Sequence, residues 1–282
     1  MGGVLDLVCS LFLLSLLAIM LGGYTARVYK LGRARQARLA GGEGKLLGQP
    51  LMEAAYWLMG PVVNGLLAVG ATPNGVTVAS LLPASAAAVS LALGHFGIAA
   101  VFMVMASLCD LVDGVLARRL GITCEAGEVI DATTDRYVEF LILGGLIVHY
   151  GPYWPACVLA LGALLASFMV SYSTAKAESL QVAPPKGMMR RAERAVYLGA
   201  GITFVPVVAW IMPQRLSAQI WFHDLPLLLA LALIAVLGNV SAVSRLFKLT
   251  ALLRQRGQKS RPTSFTTEPL EVPGQTRSRA RV

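Results

Sequence analysis

Four aspartates, Asp110, Asp113, Asp131 and Asp135, fall within 26 residues of an otherwise apolar chain. They follow 56 consecutive residues, Ala54 to Cys109, that contain no Asp, Glu, Lys or Arg. Asp110 and Asp113 are three residues apart. On a helix such a pair has Cβ atoms about 5–6 Å apart. Gly114, Ala117 and Arg118 follow at helical spacing and share that face. Asp131 and Asp135, four residues apart, share a face of the next helix. The short connection from Arg119 to Ala126 makes the two helices antiparallel neighbours, with all four carboxylates at one level.

Carboxylates at this spacing repel one another, and burial sharpens the repulsion. Protonation relieves it, and so do divalent cations. Oxygen ligands without His or Cys suit hard ions such as Mg²⁺ or Mn²⁺. Paired ions about 3.5–4 Å apart, bridged by carboxylates, are a recurring device for displacement at phosphorus. Gly114 leaves room for a phosphate to approach the backbone, and Arg118 adds a fixed positive charge. One Asp at the end of a membrane span usually only reaches for the headgroups. Four on matched faces, interleaved with Gly and Arg, point to chemistry.

The elements that must position these residues are membrane spans. The chain has 282 residues, 56% hydrophobic and 14% charged, whereas soluble domains carry about 25% charged residues. A span needs about 20 apolar residues. Apolar runs predict a span at Leu7 to Ala26 and six more at Thr72 to Leu93, Ile98 to Arg118, Gly127 to His149, Ala156 to Lys176, Ala195 to Met212 and Leu225 to Ser244. Leu51 to Gly70, broken by Pro61, reads as an interfacial helix with Tyr56 and Trp57 at headgroup level. Asp6, and the lack of a basic n-region and of a small-residue cleavage site, argue that the first span is retained.

The net charge of +9 lies in residues that flank the spans, which argues for topology and anionic lipids and against nucleic acid. Lys and Arg gather at Arg27 to Lys45, at Arg118, Arg119 and Arg136, at Lys176, Lys186, Arg190, Arg191 and Arg194, and from Arg245 onward. The opposite loops hold His95, His149, His223, Asp224 and only Arg215. The positive-inside rule places the aspartates and the C-terminus in the cytoplasm and the N-terminus outside. The last residues are polar, basic and Pro-containing, as expected of a disordered tail. Cys9, Cys109, Cys124 and Cys157 have no metal or redox spacing.

The stretch Asp110-x2-Asp113-Gly114-x2-Ala117-Arg118-x8-Gly127-x3-Asp131-x3-Asp135 resembles the full signature of the CDP-alcohol phosphatidyltransferase family. "TPNGVT", Thr72 to Thr77, resembles the start of that family's first core helix. "SYSTAKAESL", Ser171 to Leu180, and "RRAER", Arg190 to Arg194, resemble segments of bacterial members that transfer to phosphorylated polyols, nearest to phosphatidylglycerophosphate and phosphatidylinositol-phosphate synthases. Thr174 stands where inositol-phosphate members commonly carry Lys, and Cys124 where many carry Thr or Ser.

The resemblance implies an all-α integral membrane fold. It has a core of six transmembrane helices, with an interfacial helix in front and here an extra N-terminal span. It divides the chain into that span (1–26), a basic cytoplasmic linker (27–50), the catalytic domain (51–250) and the tail (251–282). It implies CDP-diacylglycerol as donor, CMP as product and a homodimer in the cell membrane. Asp110, Asp113 and Asp131 would hold one Mg²⁺ or Mn²⁺, and Asp135 would share a second and act as general base. Gly114 and Arg118, with Thr72, Pro73, Asn74 and Gly75, would hold the CDP part. Lys176, Arg190, Arg191 and Arg194 are the candidates for an acceptor phosphate, as in glycerol 3-phosphate or inositol phosphate. Two other readings remain at this point. One is a CDP-linked small alcohol given to diacylglycerol. The other is a proton- or cation-coupled transporter, which would want its charges at mid-membrane depth.

Overall fold

The computed structural model describes residues 2–31, 49–122, 124–183, 187, 189–212 and 222–259. The sequence-based expectations for a basic linker over 32–48, a tail over 260–282, Thr123, Lys186 and Arg215 lie outside these residues. The described residues form helices and no strand. In chain order these are α1 Gly2–Leu31, α2 Gln49–Ala68, α3 Pro73–Ala79, α4 Leu81–Ala92, α5 Phe96–Leu120, α6 Glu125–His149, α7 Trp154–Ser179, α8 Arg191–Ile211 and α9 Leu225–Lys259. α9 therefore stays helical past Thr250, where the sequence places the start of the tail.

Among the described residues, six helical stretches are long and apolar enough to cross a membrane, α3 and α4 counting as one. α6 has the length, but Glu125, Glu128, Asp131, Asp135, Arg136 and Glu139 load its first half with charge. The molecule is a multi-pass membrane protein, and α6, a long helix with a charged first half, carries half of the aspartate motif.

α3 and α4 meet at Ser80, whose hydroxyl donates to the Thr77 carbonyl at 2.6 Å. Pro83 lacks the N–H that would bond Ala79, so the helix breaks there. The core helices then close a ring: α4 packs on α5 and α6, α6 on α7, α7 on α9, α9 on α8, and α8 on α5. Small residues make this ring tight, including Ala84, Ala87, Ala99, Ala160, Ala163 and Ala166, all buried. A Cβ on Gly145 of α6 would stand 2.5 Å from the Ala88 carbonyl of α4.

This packing corrects one expectation. α5 and α6, although joined by a short turn, barely touch. The alanine face of α4 lies against both, and at the level of the aspartates α3 does so too, so the two aspartate pairs converge beside α3 and not across a packed α5–α6 seam.

α1 and α2 lie outside the ring, α1 against α5, α8 and α2. Asp6 is the peg of α1. Its Oδ1 accepts from the N–H groups of Gly97 at 3.0 Å and Ile98 at 3.2 Å, at the start of α5. His95 Nδ1 lies 3.1 Å from Oδ2. A carboxylate suits a helix N-terminus because the first N–H groups have no partner in the helix. Only Gly fits at position 97, since a Cβ there would collide with the Asp6 carbonyl.

Candidate active site

The level of the aspartates is set by the turn between α5 and α6. Gly121 takes φ 66° and closes α5, its N–H bonding the Ala117 and Arg118 carbonyls. Cys124 then caps α6, its thiol accepting from Gly127 N at 3.4 Å. Asp110 and Asp113 therefore sit in the last turns of α5, and Asp131 and Asp135 in the first turns of α6.

Asp110, Asp113 and Asp131 each offer an oxygen within 4.8 Å of the other two. Asp113 is buried, and its Oδ2 accepts from the Thr77 hydroxyl of α3 at 2.6 Å. That hydroxyl also lies 3.0 Å from the Pro73 carbonyl, which fixes its position. Three hard oxygen donors this close, with no His or Cys among them, fit a divalent cation such as Mg²⁺ or Mn²⁺.

Asp135, one turn further along α6, is also buried. It is joined to the trio through an arginine. Arg191 Nη2 lies 2.5 Å from Asp135 Oδ1 and Nη1 lies 2.8 Å from Asp110 Oδ1, so one guanidinium bridges α8, α5 and α6. Arg136 lies 3.7 Å from the other Asp135 oxygen. Beneath this bridge, Arg194 Nη2 meets Glu139 Oε1 at 2.7 Å, with both side chains largely shielded. A cavity of about 50 Å³ opens beside the two pairs, lined in part by Ser107, Glu139, Ser167, Arg191 and Arg194.

The remaining sequence candidates are placed as follows. Arg118 lies over Gly114, where an added Cβ would stand 3.3 Å from Nη1. Thr72 caps α3, its Oγ1 accepting from Gly75 N at 3.2 Å, with Pro73 buried and Asn74 exposed. A Cβ on Gly127 would stand 3.3 Å from Asn74 Oδ1, so the start of α3 abuts the start of α6. Arg190 is the residue before α8, and its N–H donates to Glu193 at 3.0 Å. Lys176 stands exposed on the last turn of α7. Among the described residues, no hydrogen bond or ion pair joins it to the aspartates.

Sequence reasoning missed three residues. Glu139, four after Asp135, could have been found by extending the aspartate face one more turn. Thr77 closes the quoted "TPNGVT" and gave no further signal. Arg245 was counted only as a flanking charge, although it is the first charge in a long apolar helix. It donates to Thr174 Oγ1 at 3.2 Å and lies within electrostatic range of Arg190 and Arg194. Arg245 thus reaches the position at which the resemblance expects a Lys.

A ring of membrane helices with carboxylates and arginines converging at one end can hold divalent ions and phosphate groups at the membrane surface. Residues 70–235 match the family model described as CDP-alcohol phosphatidyltransferase. A phosphatidylinositol phosphate synthase of Mycobacterium tuberculosis is 32% identical over 192 residues, 66% of this chain and 82% of that protein. The solved structure of a phosphatidylinositol phosphate synthase from Mycobacterium tuberculosis, in complex with manganese and citrate, matches with TM-score 0.59 and 27% identity, over 67% of this chain and 88% of that one. A second structure of that synthase, with CDP-DAG bound, matches with TM-score 0.57 at the same identity, over 67% of this chain and 92% of that one. The chain belongs to the CDP-alcohol phosphatidyltransferase family, and it is a phosphatidyltransferase of phospholipid biosynthesis.

Proposed function

We propose that this enzyme transfers the phosphatidyl group of CDP-diacylglycerol to a phosphorylated polyol, inositol phosphate or glycerol 3-phosphate, and releases CMP. The observation that carries the reading is the meeting of Asp110, Asp113 and Asp131 with arginines from α8 and α9 at one end of the ring. The two solved structures of the Mycobacterium tuberculosis synthase, one with manganese and citrate and one with CDP-DAG, support it.

Asp110, Asp113 and Asp131 would hold one divalent ion, and Asp135 would share a second. Mg²⁺ or Mn²⁺ bound there would supply positive charge to offset that of the diphosphate. Gly114, Arg118 and the Thr72 to Gly75 turn hold the CDP part. Asp135 takes the proton of the acceptor hydroxyl as that oxygen bonds to the β-phosphorus. The bond from the β-phosphorus to the bridging oxygen breaks, and CMP leaves with its electron pair. Arg190, Arg191, Arg194 and Arg245 supply positive charge for the acceptor's phosphate, for which guanidinium forks are well shaped. Lys176, exposed at the end of α7, attracts the acceptor from solution.

The aspartate end faces the cytoplasm of a cell membrane, following the loop charges. The catalytic domain is 51–250, and the span before it is an addition. The enzyme works as a homodimer.

The test is CMP release by purified protein with CDP-diacylglycerol, Mg²⁺ or Mn²⁺, and a panel of inositol phosphate, glycerol 3-phosphate, inositol and serine. Release that requires a phosphorylated acceptor is expected. Release only with a CDP-alcohol and diacylglycerol would reverse the assignment of donor and acceptor.

A further inference from the structure

Arg191 occupies oxygens that the proposed reaction needs. Its two guanidinium nitrogens reach Asp110 Oδ1 at 2.8 Å and Asp135 Oδ1 at 2.5 Å. Asp110 is one of the three carboxylates that converge as a cation site, and Asp135 is the proposed base and ligand of the second ion. A guanidinium bonded to these oxygens and a divalent ion bound to them repel each other at contact distance. An Asp135 that holds Arg191 on one oxygen, with Arg136 at 3.7 Å from the other, is also badly placed to accept a hydroxyl proton.

The two α8 arginines differ in freedom. Arg194 is 4% exposed and locked to Glu139. Arg191 is 34% exposed, and its long side chain lines the cavity beside Ser107 and Ser167. It can leave the aspartates without breaking the α6–α8 contact that Arg194 and Glu139 maintain.

We propose that Arg191 is an exchangeable cation, bridging Asp110 and Asp135 until a divalent ion displaces it, whereupon it turns to the phosphate of the acceptor. This rests on the two-ion reading above. Its consequence is that ion and acceptor bind cooperatively through one side chain. The ion frees Arg191 for the phosphate, and the phosphate removes Arg191 as a competitor for the ion. Linkage makes the two enhancements equal. Couplings of this kind are typically on the order of 5- to 150-fold.

The experiment is Mn²⁺ binding to the full-length protein in detergent, read as the EPR signal of free Mn²⁺. No CDP-lipid is present, so there is no turnover. Titrations are run with and without glycerol 3-phosphate, and in parallel with inositol 1-phosphate. In the natural sequence, at least one phosphate monoester should tighten Mn²⁺ binding several-fold or more. Arg191→Gln should bind Mn²⁺ more tightly without the phosphate and lose the enhancement. Arg191→Lys, whose shorter side chain and single nitrogen match the two carboxylates less well than the guanidinium fork, should fall between, and it serves if the Gln variant does not fold. Equal Mn²⁺ affinity in all three proteins, or a phosphate enhancement that survives in Arg191→Gln, overturns the proposal. If none of the proteins binds Mn²⁺, the two-ion reading has failed as well, an outcome distinct from equal binding.

Discussion

Asp113 shows how much a single carboxylate in this site depends on what surrounds it. It is buried, it faces Asp110 and Asp131, and the Thr77 hydroxyl donates to it. Groups that orient a metal ligand typically matter by about 10- to 100-fold in affinity or activity. Thr77→Val should therefore lower Mn²⁺ affinity by about that factor, measured by the same EPR titration, and leave the helical content unchanged. Unchanged affinity would remove Thr77 from the site. Asp135→Asn keeps the shape of the side chain and abolishes its capacity to take a proton. CMP release should fall by about 10²–10⁴-fold, the usual contribution of a general base. A variant that keeps a tenth of its activity would show that another group takes the proton.

Two buried polar contacts fix how the helices meet. The first is the Glu139–Arg194 pair, which ties α6 to α8 beneath the aspartates. Removing one partner of a buried pair costs about 3–5 kcal/mol, because the other charge is stranded, whereas an apolar replacement of both is often neutral. Glu139→Gln should thus lower the melting temperature in detergent. The double variant Glu139→Met with Arg194→Met should recover it without recovering CMP release. Recovery of both would deny Arg194 any part in the acceptor pocket. The second contact is Asp6 at the start of α5. Asp6 accepts two backbone N–H bonds, and bonds to a charged group contribute about 1.5–3 kcal/mol each. Asp6→Ala should destabilise the protein by at least that amount, and a melting curve that does not shift would make α1 a passive addition.

The ring of core helices has a polar end and an apolar body, and the charge of the loops gives it a direction. In the proposed orientation, with seven spans, the two ends of the chain lie on opposite sides of the membrane, the aspartates with the C-terminus. Cys124 is exposed at the aspartate end and reports on this. With Cys9, Cys109 and Cys157 changed to Ser, an impermeant maleimide should label Cys124 in inside-out vesicles and not in intact cells. Labelling from outside would turn the molecule over and with it the source of the acceptor.

The sequence alone determined the membrane class, the spans and the four aspartates. Hydrophobic runs and helical spacing are local properties, and carboxylates clustered beside charge-free spans are too costly to persist without a role. The same locality hid the rest. That α4 lies between α5 and α6 follows from alanines and Gly145 meeting across helices distant in the chain. That Asp6 pegs the added helix to Gly97 joins residues 91 positions apart. That Arg191 bridges Asp110 and Asp135, and that Arg245 reaches Thr174, depends on where α8 and α9 return to the ring. Spacing along the chain can place side chains on one face of a helix. Only tertiary packing decides which other face they meet.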